Sequence, residues 1–225
     1  ENLLAHKFSR KDCVIALGGG VVGDLAGYVA ASYMRGIDFI QIPTTTLSQI
    51  DSSIGGKVAI NLDEVKNIVG AFYQPKIVFI DPETLQTLPK RHYINGLIEA
   101  LKAGLIYDAS LFELFEQGDI NKDLDTIIVK ALKVKKDVVE QDEREQGLRK
   151  ILNFGHTIGH AIESYYHLSE YLHGECVALG MLYFIDNEQL KQRVLHVYKR
   201  LGIRTQVDFD PEAVYQLLCR DKKAD

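Results

Sequence analysis

The chain has 225 residues, of which 46% are hydrophobic and 25% charged, and its net charge is −5. That length buries one large core or two small ones. The acidic balance argues against nucleic acid as a main partner, because neutralising phosphates takes a basic face. No basic-then-apolar leader opens the chain, and no apolar run approaches the ~20 residues that span a bilayer. A cytoplasmic protein outside the membrane is expected. Cys13, Cys176 and Cys219 are far apart, include no CxxC pair, and are expected as reduced thiols.

Glu1 to Arg10 reads as the end of a helix, and Asp12 to Leu17 then enters a strand, so the chain is expected to begin inside an α/β unit. Cys13-Val14-Ile15-Ala16-Leu17 is a short apolar run ending in glycines, the pattern of a buried parallel strand. Gly18, Gly20 and Gly23 then satisfy GxGxxG, ahead of a helical stretch over Leu25 to Tyr33. Such glycines let a backbone approach a pyrophosphate at a helix N-terminus. A plain tight turn is the other reading. The acidic residue expected at the end of the next strand, Phe39 to Ile42, is missing: that strand ends in Pro43-Thr44-Thr45-Thr46, whose hydroxyls offer hydrogen bonds to a cofactor instead.

Gln49 to Lys57 reads as a polar, glycine-bearing loop ending in a lysine, and Lys76 to Ile80 as a strand closed by Pro82. The order predicts a parallel α/β layer. After Pro89 the pattern turns helical. Arg91 to Tyr107 carries an apolar stripe with Glu99 and Lys102 beside it, which by spacing alone read as a surface ion pair. Ile127 to Val139 is a second amphipathic helix bearing Lys130, Lys133, Lys135 and Lys136. In Asn153 to Glu163, His156, His160 and Glu163 share one helix face. That is the spacing of a metal-binding helix with both histidines as ligands. A helix end with one buried histidine and one exposed is the alternative. His173 stands before Gly174 and an apolar helix over Cys176 to Phe184, and tail helices are predicted over Asn187 to Gly202 and Pro211 to Cys219.

Gly18–Asp24, Pro43–Thr45, Asp51–Lys57, Lys66–Pro75, Leu88-Pro89, Glu99–Lys102, Asn153–Glu163 and His173–Ala178 run in one order over nearly the whole chain. Together they resemble the 3-dehydroquinate synthase family. The resemblance implies an incomplete, Rossmann-like parallel α/β domain over 1–83 that binds NAD, then an all-helical metal-binding domain over 84–225. The active site is expected between them. The resemblance further implies an N-terminal segment and a short C-terminal tail that are expected to be absent here.

Position by position, the resemblance implies NAD contacts from Gly20, Val21, Val22, Gly23, Asp24, Thr44, Thr45, Thr84, Leu85 and Thr87. It implies zinc (or cobalt) ligation by Glu99, His156 and His173, which frees His160 to face the substrate. Asp51, Lys57, Lys102, Asn153 and His160 match the catalytic positions. Lys66, Asn67, Lys135 and Arg149 match substrate contacts, and a lysine of Asp221-Lys222-Lys223 matches another. Arg35 matches an arginine that reaches the neighbouring subunit's substrate phosphate, which implies a homodimer. The implied substrate is a phosphorylated seven-carbon keto-sugar acid. The implied reaction is transient oxidation by NAD, β-elimination of phosphate, re-reduction and an intramolecular aldol closure. Another sugar-phosphate cyclase and a metal-dependent polyol dehydrogenase are the rival readings, and a chain that keeps its fold without turnover is a third.

Overall fold

The computed structural model describes residues 1–62, 65–167 and 170–220. The Asp221-Lys222-Lys223 expectation lies outside them. The elements run α1 (Asn2–Ala5), β1 (Cys13–Gly18), α2 (Gly20–Ser32), β2 (Asp38–Pro43), β3 (Lys57–Leu62), β4 (Val65–Phe72) and β5 (Ile77–Val78). Seven helices follow: α3 (Lys90–Ile106), α4 (Ala109–Gln117), α5 (Leu124–Gln141), α6 (His156–Tyr165), α7 (His173–Tyr183), α8 (Glu188–Leu201) and α9 (Pro211–Arg220). Two compact units divide after Pro89.

In the first unit β1, β2 and β5 form a parallel sheet in the order β1-β2-β5, with Cys13 opposite Asp38 and Gly18 opposite Pro43. Its core is Ala30, Ile37, Phe39 and Val58, packed with Val14, Tyr28, Tyr33, Ala71 and Tyr73. The Phe39 and Tyr73 rings stack at 5.8 Å, and the Tyr73 hydroxyl donates to the Ile37 carbonyl at 2.9 Å. The stretch expected as a loop holds more structure than its composition suggested. Ser48–Ser52 forms one π-helical turn, and β3 and β4 pair as an antiparallel hairpin apart from the parallel sheet. The hairpin forms because buried Val58 seats it on α2, a tertiary contact that outweighs the polar Asn61, Lys66 and Asn67 in its strands.

In the second unit α3 is the central helix. Every residue from Asn95 to Gly104 is buried, and α4, α5, α7 and the 3₁₀ turn Leu148–Asn153 pack around it. Ile162, Tyr171, Cys176 and Leu179 form a further core with Ile158, Tyr166, Val207 and Phe209 around them. Helix α4, which the sequence reading left unassigned, starts at an Asp108 cap whose carboxylate accepts from the Ser110 and Leu111 N–H groups at 3.0 and 3.3 Å. Among the described residues no helix is long and apolar enough to cross a membrane.

Candidate metal centre and dinucleotide turn

Three elements of the second unit bring the candidate ligands together. Glu99 lies mid-way along α3, His156 opens α6 and His173 opens α7. The Oε1 atom of Glu99 is 3.7 Å from His156 Nε2 and 3.7 Å from His173 Nε2. This oxygen is buried and has no hydrogen-bond partner. A buried carboxylate oxygen without a donor is costly. A cation between it and two imidazole nitrogens would satisfy it, and a carboxylate with histidines is an ordinary donor set for zinc. The residues present therefore fit a metal ion. His160 completes a three-histidine group with His156 and His173, whose ligand atoms lie within 4.8 Å of one another.

The approach of α6 to α7 is set by glycines. Gly155, the α6 N-cap, has φ +77°, and a Cβ there would meet the Met181 and Val177 backbone at 2.8 Å. A Cβ on Gly180 would collide with the Gly155 carbonyl oxygen. The two backbones thus touch beside His156, about two turns along α7 from His173.

The surroundings orient these groups. Lys102, one turn from Glu99, donates to Glu99 Oε2 with both side chains almost fully buried. The spacing alone suggested a surface ion pair; burial makes it an internal one, in which each charge depends on the other. His156 Nδ1 faces the Phe154 carbonyl at 3.2 Å, and His173 Nδ1 faces Glu163 Oε2 at 3.3 Å. Burial opposes the charge on Glu99, yet Lys102, His173 and His156 together hold its carboxyl well below the usual range. Burial, with the Lys102 charge, pushes His156 down to about 3. For His173 burial acts downward too, but the neighbouring carboxylates of Glu163 and Glu99 prevail and raise it to about 9.

The other expected substrate contacts of this unit lie on α5 and the Leu148–Asn153 turn, both packed on α3. Lys135 and Arg149 are buried cations. Arg149 donates to the Glu143 carbonyl, and its N–H reaches Asp142 Oδ2 at 3.0 Å. Asn153 donates to Glu145 Oε1 at 2.7 Å. Glu163 was not singled out for a role; its place on the His156–His160 face was the available signal.

In the first unit the glycine turn joins β1 to α2 as the motif requires. Gly19 is the N-cap of α2, so no side chain caps the helix, and Val21 and Val22 of its first turn are exposed. An uncapped, exposed helix N-terminus after a parallel strand fits a dinucleotide pyrophosphate. Gly20, Gly23 and Asp24 continue this turn into α2. Beside it the Thr44 N–H donates to the Gly18 carbonyl at 2.9 Å. The Thr45 hydroxyl is already engaged with Ser48, at 2.8 Å from its Oγ, so it is less free for a cofactor than the sequence implied. Gln49 Nε2 ties the Pro43 and Asp81 carbonyls to the Thr84 hydroxyl at 3.1, 2.8 and 3.0 Å, which places Thr84 near the end of β2. Leu85 is buried and Thr87 exposed on the same 3₁₀ turn, Pro82–Thr87. Asp51 sits on the π-helical turn, a local geometry often found at functional sites. Lys57 starts β3, whereas Lys66 and Asn67 sit near the far end of the hairpin, beside Asn61. At ordinary strand rise these backbones stand roughly 15 Å apart, so the fold does not bring Lys57 and Lys66 side by side. Arg35 is exposed at the Tyr33–Arg35 turn, with φ +68°.

The 3-dehydroquinate synthase N-terminal model matches residues 1–95 and the C-terminal model residues 96–224. The 3-dehydroquinate synthase of Thermoanaerobacter pseudethanolicus is 51% identical over 100% of this chain and 67% of its own length. That of Caldanaerobacter subterraneus subsp. tengcongensis is 54% identical over 86% of this chain and 58% of its own length. The chain thus spans roughly two thirds or less of these relatives. A structure of 2-epi-5-epi-valiolone synthase from Streptomyces hygroscopicus subsp. jinggangensis, with NAD+ and Zn2+ bound, superposes with a TM-score of 0.89 at 31% identity, covering 99% of this chain and 66% of that one.

Proposed function

The chain belongs to the 3-dehydroquinate synthase family, and from that membership we propose that it converts 3-deoxy-D-arabino-heptulosonate 7-phosphate to 3-dehydroquinate and phosphate. The observation that carries this reading is the convergence of His156 and His173 on the buried, unpartnered Glu99 oxygen, with Lys102 beside it. Zinc or cobalt held by Glu99, His156 and His173 would act as a Lewis acid, and NAD on the glycine turn would take up and return a hydride. The NAD+ and Zn2+ bound by the valiolone synthase support both assignments.

The chain's own residues supply the rest. The substrate carries a carboxylate and a phosphate, which a chain of net charge −5 attracts only where cations are concentrated. Lys102, Lys135 and Arg149 are such cations, and their burial strengthens each attraction. Lys102 has three N–H donors, so it can hold Glu99 Oε2 and still offer a proton to the substrate. Asn153 and His160 hydrogen-bond the oxygen on the substrate carbon that is oxidised. A His160→Ala variant that keeps its metal but loses turnover supports that assignment over ligation. By the family match, Asp51, Lys57, Lys66 and Asn67 are further substrate contacts, and Thr44, Thr45, Thr84, Leu85 and Thr87 are contacts to NAD. Arg35 serves a neighbouring copy in a homodimer, which sedimentation would reveal. The setting is the cytoplasm, with Cys13, Cys176 and Cys219 as thiols.

The test is phosphate release from the heptulosonate phosphate, in the presence of NAD and Zn2+, with dehydroquinate identified by mass. Phosphate release without lasting NADH is the expected result. Steady NADH production on glycerol without phosphate release would sink the reading in favour of a polyol dehydrogenase. A different carbocycle from another sugar phosphate would favour a sister cyclase, the class of the valiolone synthase.

A further inference from the structure

His173 has its backbone and its ring held by different residues. The backbone is held from α3: Asn95 Oδ1 accepts the Gly174 N–H at 2.6 Å, and Arg91 makes a two-pronged bond, at 2.8 and 2.7 Å, to Glu175. Neither contact constrains rotation of the imidazole. The group that does is Glu163, whose buried carboxylate meets His173 Nδ1 at 3.3 Å. An ionised carboxylate only accepts, so Nδ1 must carry the hydrogen of that bond. The opposite nitrogen, Nε2, is then the one presented to Glu99 Oε1. His156 reaches the same state by another route, because its Nδ1 faces a main-chain carbonyl, that of Phe154. One imidazole is thus oriented by backbone and the other by a side chain.

We infer that Glu163 is a positioning residue for the metal centre: by accepting from His173 Nδ1 it turns Nε2 toward Glu99 and raises the affinity for a divalent cation. This rests on the proposed metal reading. Outer carboxylates of this kind fix a ligand's tautomer and increase its basicity, and their loss costs ~10–100-fold in affinity. Glu163 donates nothing to the ion itself, since it faces the nitrogen that points away from the cluster.

The test is Co2+ and Zn2+ binding by the 225-residue chain, measured against a competing chelator, for wild type, Glu163→Ala and Glu163→Gln. Circular dichroism of each metal-free chain reports folding. Wild type that binds neither ion refutes the metal reading itself. Given wild-type binding, Glu163→Ala is expected to lose ~10–100-fold in affinity. Glu163→Gln, which keeps an acceptor oxygen without the charge, should fall between the two, and the visible Co2+ bands should shift in both. If Glu163→Ala does not fold, Glu163→Gln decides alone: a loss of about threefold or more supports the inference, and a smaller one overturns it. Folded variants that both bind as wild type does, with unchanged bands, also overturn it.

Discussion

β1 and α3 are the first long apolar elements of their units, and they end in opposite circumstances. Helix α3 buries every residue from Asn95 to Gly104. Strand β1 buries only Ala16, while Ile15 and Leu17 are 61% and 63% exposed. A parallel strand is normally covered on both faces. The second unit thus completes its own core around α3, whereas the first carries apolar surface on its leading strand. The candidate sites follow the same division. Metal ligands need donors drawn from distant sequence and shielded from water, and α3 supplies that shielding. A pyrophosphate needs open backbone at a helix end, and α2 offers it.

Parallel substitutions would sharpen or break this contrast. The largest effect is expected for Leu101→Ala, which empties a fully buried position of α3 and should cost ~2–5 kcal/mol, read by residue-resolved hydrogen exchange in the second unit. His173→Ala removes a proposed ligand and should weaken Co2+ binding by roughly 100-fold or more, about 2.7 kcal/mol, in chelator competition. Retained metal would mean that the ligand assignment is wrong. In the first unit, Gly27→Ala drives a Cβ into Val58 and toward Phe39 Cζ, at 3.1 Å, where α2 crosses the sheet. It should cost ~1–3 kcal/mol by thermal unfolding.

Asp108→Ala removes the α4 cap and should cost ~1 kcal/mol. The hydrogen bond from the Ser110 hydroxyl, with help from Lys130, holds the Asp108 carboxyl below its usual range. A depressed folded-state pKa means the stabilisation is complete above the unfolded carboxylate range, near pH 4, and is lost as pH falls through the folded value. The variant should therefore converge on wild type in acid. The smallest effect is expected for Leu17→Ser, within ~0.5 kcal/mol because the side chain is already exposed. A large loss of stability there would mean that β1 is covered after all.

Local pattern made some parts of the molecule readable and hid others. The strand–glycines–helix turn was legible because its residues are contiguous and their chemistry is backbone chemistry. Helix α3 was legible from its stripe, but the role of Glu99 was not. At i, i+3 from Lys102 it reads as a surface pair, and only the burial supplied by α4, α5 and α7 makes its oxygen available to two histidines. Resemblance to known enzymes supplied what spacing could not. The β3–β4 hairpin was missed because its polar residues masked strands that are held by a contact with α2. Helix α4 was missed although Asp108, Leu111, Phe112 and Phe115 carried both its cap and its apolar face.

The glycine contact between α6 and α7 bears on ion choice. Were a cation held by His156 and His173, which open separate helices, the spacing of those helices would set how closely the two rings approach it. Here Gly155 and Gly180 let main chain rest on main chain, so the aperture is gauged by backbone and not by side-chain packing that can creep. A methyl group at position 180 would act as a shim: it would widen the gap between His156 and His173 and shift preference from compact ions toward larger ones.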